Sequence, residues 1–201
     1  MATQRRPATE TEARALASAT RLRILRLCLD EALTNKEIAG RLGANPATTL
    51  HHVRKLVETG FLAAEPRRPG PRGSTEIPYR TTGKTWEMDV CESGVTGANA
   101  AMLGAFLEEV RLIDVAEGEF ARLGVRLTEE DHAELWRRLR EVIDDFRDRP
   151  PPADGAAYSL FVAVHRDVTR DVTRDATRDA TRDAARDAGP GRREAGPGAG
   201  A

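Results

Sequence analysis

Two helix starts flank a single glycine stop between residues 34 and 46, and few folds accommodate that spacing. Thr34-Asn35-Lys36-Glu37 has the form of a capping box. In that arrangement the Thr34 hydroxyl accepts from the Glu37 backbone N–H, and the Glu37 carboxylate accepts from the N–H of Thr34. The helix so opened carries Ile38, Ala39 and Leu42 and stops at Gly43, which takes the left-handed conformation after a helix without penalty. Asn45-Pro46 then opens a second helix, with Asn as N-cap and Pro at the first helical position, where its missing N–H costs no hydrogen bond. That second helix runs to Thr59 and ends at Gly60. Two short helices across so tight a turn form a helix-turn-helix.

The flanking segments extend this pattern. From Glu10 to about Glu31, the apolar residues Leu16, Leu22, Ile24, Leu25, Leu27 and Leu29 read as a helix broken near Ser18 to Thr20. After Gly60, Phe61 to Glu65 and Ser74 to Thr81 read as two strands joined by a Pro/Gly/Arg loop. The expected fold class is therefore mainly α with a small β-hairpin wing: a winged helix-turn-helix over 8–86, a helical C-terminal dimerisation or effector region over 87–165, and a disordered tail over 166–201. In the C-terminal region, the apolar positions Met102, Leu103, Phe106, Leu107, Val110, Ile113 and Val115 predict an amphipathic helix from Asn99, the natural dimer seam. Thr128 to Asp131 caps a further helix bearing Leu135, Trp136, Leu139, Val142, Ile143 and Phe146. Tyr158 to His165 reads as a strand that pairs with Val125 to Leu127. In the tail, Arg-Asp repeats with a period of four give way to a Gly/Pro-rich end, with too few large apolar side chains to offset the entropy of ordering.

Charge separates the chain in the same place. Residues 19–85 hold 12 Lys/Arg against 6 Asp/Glu, whereas residues 86–165 hold 8 Arg against 17 Asp/Glu, so a net charge of −1 conceals a basic half and an acidic half. A basic segment of this kind suits a polyanion. No run of about 18 apolar residues supports a membrane span. The N-terminal segment lacks the apolar region of a secretion signal, so the expected location is cytoplasmic, at the nucleoid. Two cysteines, Cys28 and Cys91, make neither a disulfide framework nor a metal knuckle. The sequence carries no GxGxxG, GxxxxGK[ST], GxSxG or HExxH pattern, so it reads as a non-enzyme with no cofactor and no metal. His132 stands among carboxylates on a helix start, where neighbouring side chains diverge. Trp86, Trp136 and Phe106 are candidates to line an effector pocket.

The helical wheel of residues 46–59 names the candidate contact residues. Pro46, Thr49, Leu50, Val53, Leu56 and Val57 fall on one side, which faces the core. Thr48, His51 and Lys55 centre the other side, flanked by Ala47, His52 and Arg54. Hydroxyl, imidazole, ammonium and guanidinium groups on one helix face suit phosphates and base edges in a major groove. Thr34 and Lys36, at the start of the preceding helix, join this set. So do Arg67, Arg68 and Arg72, which lie in a stiff Pro-rich hairpin tip suited to a minor groove or its phosphates.

Residues 15–86, with ATTLHHVRKLVETGFL as their most specific part, resemble the winged helix-turn-helix of ArsR-type bacterial transcription regulators, especially those of actinobacteria. Residues 122–165 are more loosely similar to C-terminal extensions of such proteins. The resemblance implies a homodimer that binds an inverted-repeat operator in double-stranded DNA, as a repressor, with an unidentified small-molecule effector as a further partner. Metal-sensing relatives carry a Cys-x-Cys motif or an Asp/His/His/Glu set. Here Cys28 is the only thiol near the helix-turn-helix, and the helix around Ala98 to Val115 has no His. Two other functions fit the same residues: a protein-interaction module whose basic face docks an acidic partner, and a small-molecule sensor that does not touch DNA.

Overall fold

The computed structural model describes residues 5–89, 97–114, 116, 118–152 and 154–170, which fall into two compact units. Those within 1–120 and 133–150 form the first, and those within 121–132 and 151–170 the second. Helix α1 (Glu10–Leu16) starts at a Thr9–Glu12 capping box, and α2 (Ala19–Leu27) starts at Ser18, whose side chain accepts from the Arg21 N–H. The helix expected from Glu10 is thus broken where Ser18 supplies a new cap. Helices α3 (Asn35–Leu42) and α4 (Pro46–Glu58) follow, with the Thr34–Glu37 box, the left-handed Gly43 and the Asn45 cap all in place.

Three strands complete the winged helix. Strand β3 (Leu62–Ala64) and β2 (Leu33–Thr34) both pair antiparallel with the central β6 (Pro78–Thr81). Thr34 therefore ends a strand and caps a helix at once, so the start of α3 is fixed to the sheet through the Thr34–Pro78 pairing. The hairpin continues as a second short ladder, β4 (Arg68–Pro69) against β5 (Thr75–Glu76), closed by a tip turn at Pro71–Gly73.

The junction from α4 to β3 is decided by one glycine. Gly60 has φ 74°. Its N–H donates to the Val57 carbonyl at 3.0 Å, and the Phe61 N–H donates back to the Leu56 carbonyl at 2.8 Å. This reciprocal pair ends a helix when the intervening residue is left-handed and the flanking apolar side chains meet. Phe61 and Leu56 are both fully buried, in a core with Ile24, Ile38, Val53, Leu62 and Cys28. Each such side chain contributes about 1.5–3 kcal/mol by leaving water. That core locks α4 to α2, α3 and the sheet.

An N-terminal strand that sequence reasoning missed, β1 (Arg6–Pro7), runs parallel to β7 (Met88–Asp89). Helix α5 (Ala98–Val110) lies against α1 and α2, so the compact unit continues across the charge boundary near residue 86. The small residues Ala98 and Ala105 are buried on that helix, while Met102, Leu103 and Leu107 are nearly half-exposed. Helix α6 (Glu129–Arg147) contributes residues 133–147 to the first unit through polar contacts: Arg140 meets Asp89 at 3.1 Å, and Arg5 and Arg147 both pair with Asp144.

In the second unit the Thr128 hydroxyl donates to the Asp131 carboxylate and accepts from its N–H, as expected for a cap. The two strands expected there do not form. Residues 125–127 and 158–165 carry no ladder, and Tyr158 and Leu160 are 93% and 70% exposed. An alternating apolar pattern makes a strand only where a layer covers its face, and among the described residues no strand pairs with these segments. Most of the Arg-Asp tail, residues 171–201, lies outside the described residues. No described helix is long and apolar enough to cross a membrane.

Candidate nucleic-acid interface

Local capping chemistry sets the attitude of α4. The Asn45 side chain accepts from the Ala47 N–H at 2.8 Å, and the buried Thr49 hydroxyl donates to the Asn45 carbonyl at 3.0 Å. The Asn35 amide donates to the Pro46 carbonyl at 2.9 Å and so ties the start of α3 to the start of α4. At the other end, the Lys84 ammonium donates to the Thr59 carbonyl at 2.7 Å and lies 5.2 Å from the centre of the Phe61 ring. A cation at a helix C-terminus complements the helix dipole. Both ends of α4 are therefore held.

With α4 held this way, Thr49, Val53 and Leu56 are buried and Ala47, Thr48, His51 and Arg54 are exposed. Lys55 is half-buried and meets Glu58 at 3.6 Å. The wheel misplaces its two outermost core positions: Pro46 and Val57 are exposed, because the core reaches only the central arc of the helix. His52 also departs from expectation. It is half-buried, its ring lies 5.8 Å from His51, and its Nδ1 has no partner among the described residues. Burial, reinforced by the positive charge of Arg21 and by His51, lowers its pKa and keeps the ring neutral at pH 7. Of the two imidazoles, His51 is therefore the exposed one.

Beside α4, Thr34 is buried in its capping box, so its hydroxyl is committed to Glu37, while Lys36 projects into solvent without an ion pair among the described residues. Arg67 is exposed on the wing and likewise unpaired, and Arg72 belongs to the tip turn. Arg68 is different. Its guanidinium donates to both Glu37 carboxylate oxygens at 2.7 Å and lies 3.9 Å from Glu76. Thr34, Lys36, Glu37, Arg68, Pro69, Pro71 and Glu76 line a cleft of about 480 Å³ between α3 and the wing. Sequence reasoning missed Glu37 in this role, since its capping function was the only one visible locally.

The remaining sequence candidates sit elsewhere. The thiol of Cys28 is fully buried and pushed up to about 11 by desolvation, so it is protonated at neutral pH. Cys91 lies outside the described residues. No three His, Cys, Asp or Glu side chains among the described residues are grouped to hold a metal ion. Trp86 is flanked by the guanidiniums of Arg5 and Arg147, and Trp136 by that of Arg140. A second cleft of about 310 Å³ is lined by Arg23, Arg26, Leu27, Arg41, Leu42, Glu109 and Leu112, and neither cleft involves Trp86, Trp136 or Phe106.

Helices α1 to α3, the helix α4 held at both ends and a two-ladder wing define a winged helix-turn-helix. Residues 16–64 match a family model described as a helix-turn-helix domain. Among solved structures, reduced HlyU from Vibrio cholerae is similar at 20% identity over 48% of this chain and 84% of that one, with a TM-score of 0.31. The Mycobacterium tuberculosis protein Rv0081 is similar at 21% identity over 50% and 88%, with a TM-score of 0.30. A variant of Lactococcus lactis ZitR is similar at 19% identity over 64% and 75%, also with a TM-score of 0.30. No curated protein matches the chain significantly.

Proposed function

We propose that the protein is a sequence-specific DNA-binding transcription regulator that acts as a homodimer on an inverted-repeat operator, as a repressor. One observation carries the reading. Helix α4 is anchored at both ends and along its buried side, its free side presents Thr48, His51 and Arg54, and Lys36 on α3 and Arg67 on the wing are exposed. A rigid helix with donors on its open face fits the major groove, and cations on either side fit the flanking phosphates. The dimer part rests on α5, whose exposed Met102, Leu103 and Leu107 offer an apolar stripe to a second copy. Two copies then place their recognition helices on half-sites about one helical turn apart.

Selection of bound duplexes from a random pool, followed by titration of the selected duplex against a scrambled one, tests the reading. The expected result is a two-fold symmetric consensus, bound ~10³-fold or more tighter than scrambled DNA. Recovery of no consensus, with equal binding of both duplexes, would refute it.

A further inference from the structure

Arg68 looks from the sequence like a free phosphate-binding cation, and its surroundings say otherwise. One guanidinium nitrogen reaches both oxygens of Glu37 at 2.7 Å, and a second carboxylate, Glu76, lies 3.9 Å away across the β4–β5 ladder. Glu37 is itself fixed, because its carboxylate accepts from the Thr34 N–H at 2.8 Å and the Thr34 hydroxyl at 2.9 Å. Its pKa is lowered, first by the Thr34 backbone bond and further by Arg68, so it stays ionised throughout the neutral range. The outer ladder of the wing thus holds one cation between two anions, while Lys36 and Arg67 have no ion pair among the described residues.

We propose that Glu37 is a residue that tunes DNA affinity: it withholds Arg68 from DNA phosphates and so limits affinity for duplexes of any sequence. The inference rests on the DNA-binding reading above. As a surface pair, Arg68–Glu37 adds little to stability. Its consequence is electrostatic. Phosphate contacts supply most non-specific affinity, and each contact steepens log K against log salt by about 0.9. An arginine committed to a carboxylate already fixed by a helix cap makes no such contact. Sequence-independent binding stays weak as a result, and discrimination is left to the residues on α4.

Glu37→Gln isolates the charge, because glutamine also serves at this position of a capping box and α3 keeps its start. The test measures the salt slope on a scrambled duplex for wild type, Glu37→Gln, Arg68→Ala and the double variant, with circular dichroism melts to establish folding. Arg68→Ala should match the wild-type slope, since Arg68 contributes no contact. Glu37→Gln should steepen the slope by about 0.9, an extra ~3.5-fold loss of affinity between 50 and 200 mM salt. The double variant should return to the wild-type value. An unchanged slope in Glu37→Gln overturns the proposal, as does a steeper slope that persists without Arg68, which would mean simple removal of a repelling charge. Both results leave DNA binding itself intact. Failure of folded wild-type protein to bind any duplex overturns the DNA-binding reading, and this proposal with it.

Discussion

Replacing Glu12 with Gln should destabilise the winged helix strongly, and in a way that depends on pH. Glu12 is 8% exposed and accepts from both terminal guanidinium nitrogens of Arg6, at 2.9 and 2.8 Å. It also meets the Lys84 ammonium at 2.8 Å and accepts from the Thr9 N–H and hydroxyl, each at 2.9 Å. Glutamine keeps the cap on α1 but turns one acceptor into a donor that faces two cations. A charge-assisted bond at a buried group is worth about 1.5–3 kcal/mol. The Lys84 pair, with side chains 25% and 10% exposed, falls in that range. Arg6 is exposed, so its pair is screened by solvent and adds little to stability. The loss is about 1.5–3 kcal/mol at pH 7, a fall in Tm of roughly 3–12 °C for a unit of this size. The pKa of Glu12 is driven well below its ordinary 4.5, mainly by the Arg6 hydrogen bonds and further by Lys84. A depressed carboxylate stabilises fully above the unfolded-state value and loses that contribution as pH falls toward the folded one. The gap in Tm between wild type and Glu12→Gln should therefore be constant from pH 7 to about pH 5 and shrink from there to pH 3. A gap of the same size at pH 3, or one below about 1 kcal/mol at pH 7, would refute the reasoning.

The other expectations concern recognition and assembly. His51→Ala should flatten the preference at one base pair by ~1–3 kcal/mol, measured across single-base operator variants, and leave affinity for scrambled DNA unchanged. Replacing Arg67 and Arg72 together with Ala should lower the salt slope by ~1.8, two contacts at about 0.9 each, with no loss of folding in a circular dichroism melt. Leu103→Glu with Leu107→Glu should weaken dimerisation ~30-fold or more by sedimentation while the monomer stays folded, because both side chains are nearly half-exposed in one chain.

What the sequence revealed follows from where each interaction lies along the chain. The Thr34–Glu37 box, Gly43, Asn45-Pro46 and Gly60 act over two to four residues, so the helix-turn-helix was legible from residue types alone. The outward set on α4 was legible through periodicity, except at its margins: Pro46, Val57 and His52 depend on how far neighbouring elements reach around the helix. Arg68 misled because the hairpin tip holds no acid, whereas its partner Glu37 lies on another element. The parallel β1–β7 pair was hidden for the same reason, since Arg6-Pro7 has no strand pattern of its own and forms only against Met88 and Asp89. Residues 125–127 and 158–165 show the reverse failure: their alternation suits a strand, but among the described residues no neighbouring strand pairs with them.

A salt titration on specific and scrambled duplexes tests most directly whether the free face of α4 reads DNA. With wild-type protein, log K should fall linearly with log salt on both duplexes, and the selected operator should remain ~10³-fold or more favoured at each salt concentration. In a Thr48→Ala, His51→Ala double variant the slopes should hold while that preference collapses. A preference that survives the double variant, or affinity for duplex DNA that ignores salt, would contradict the account.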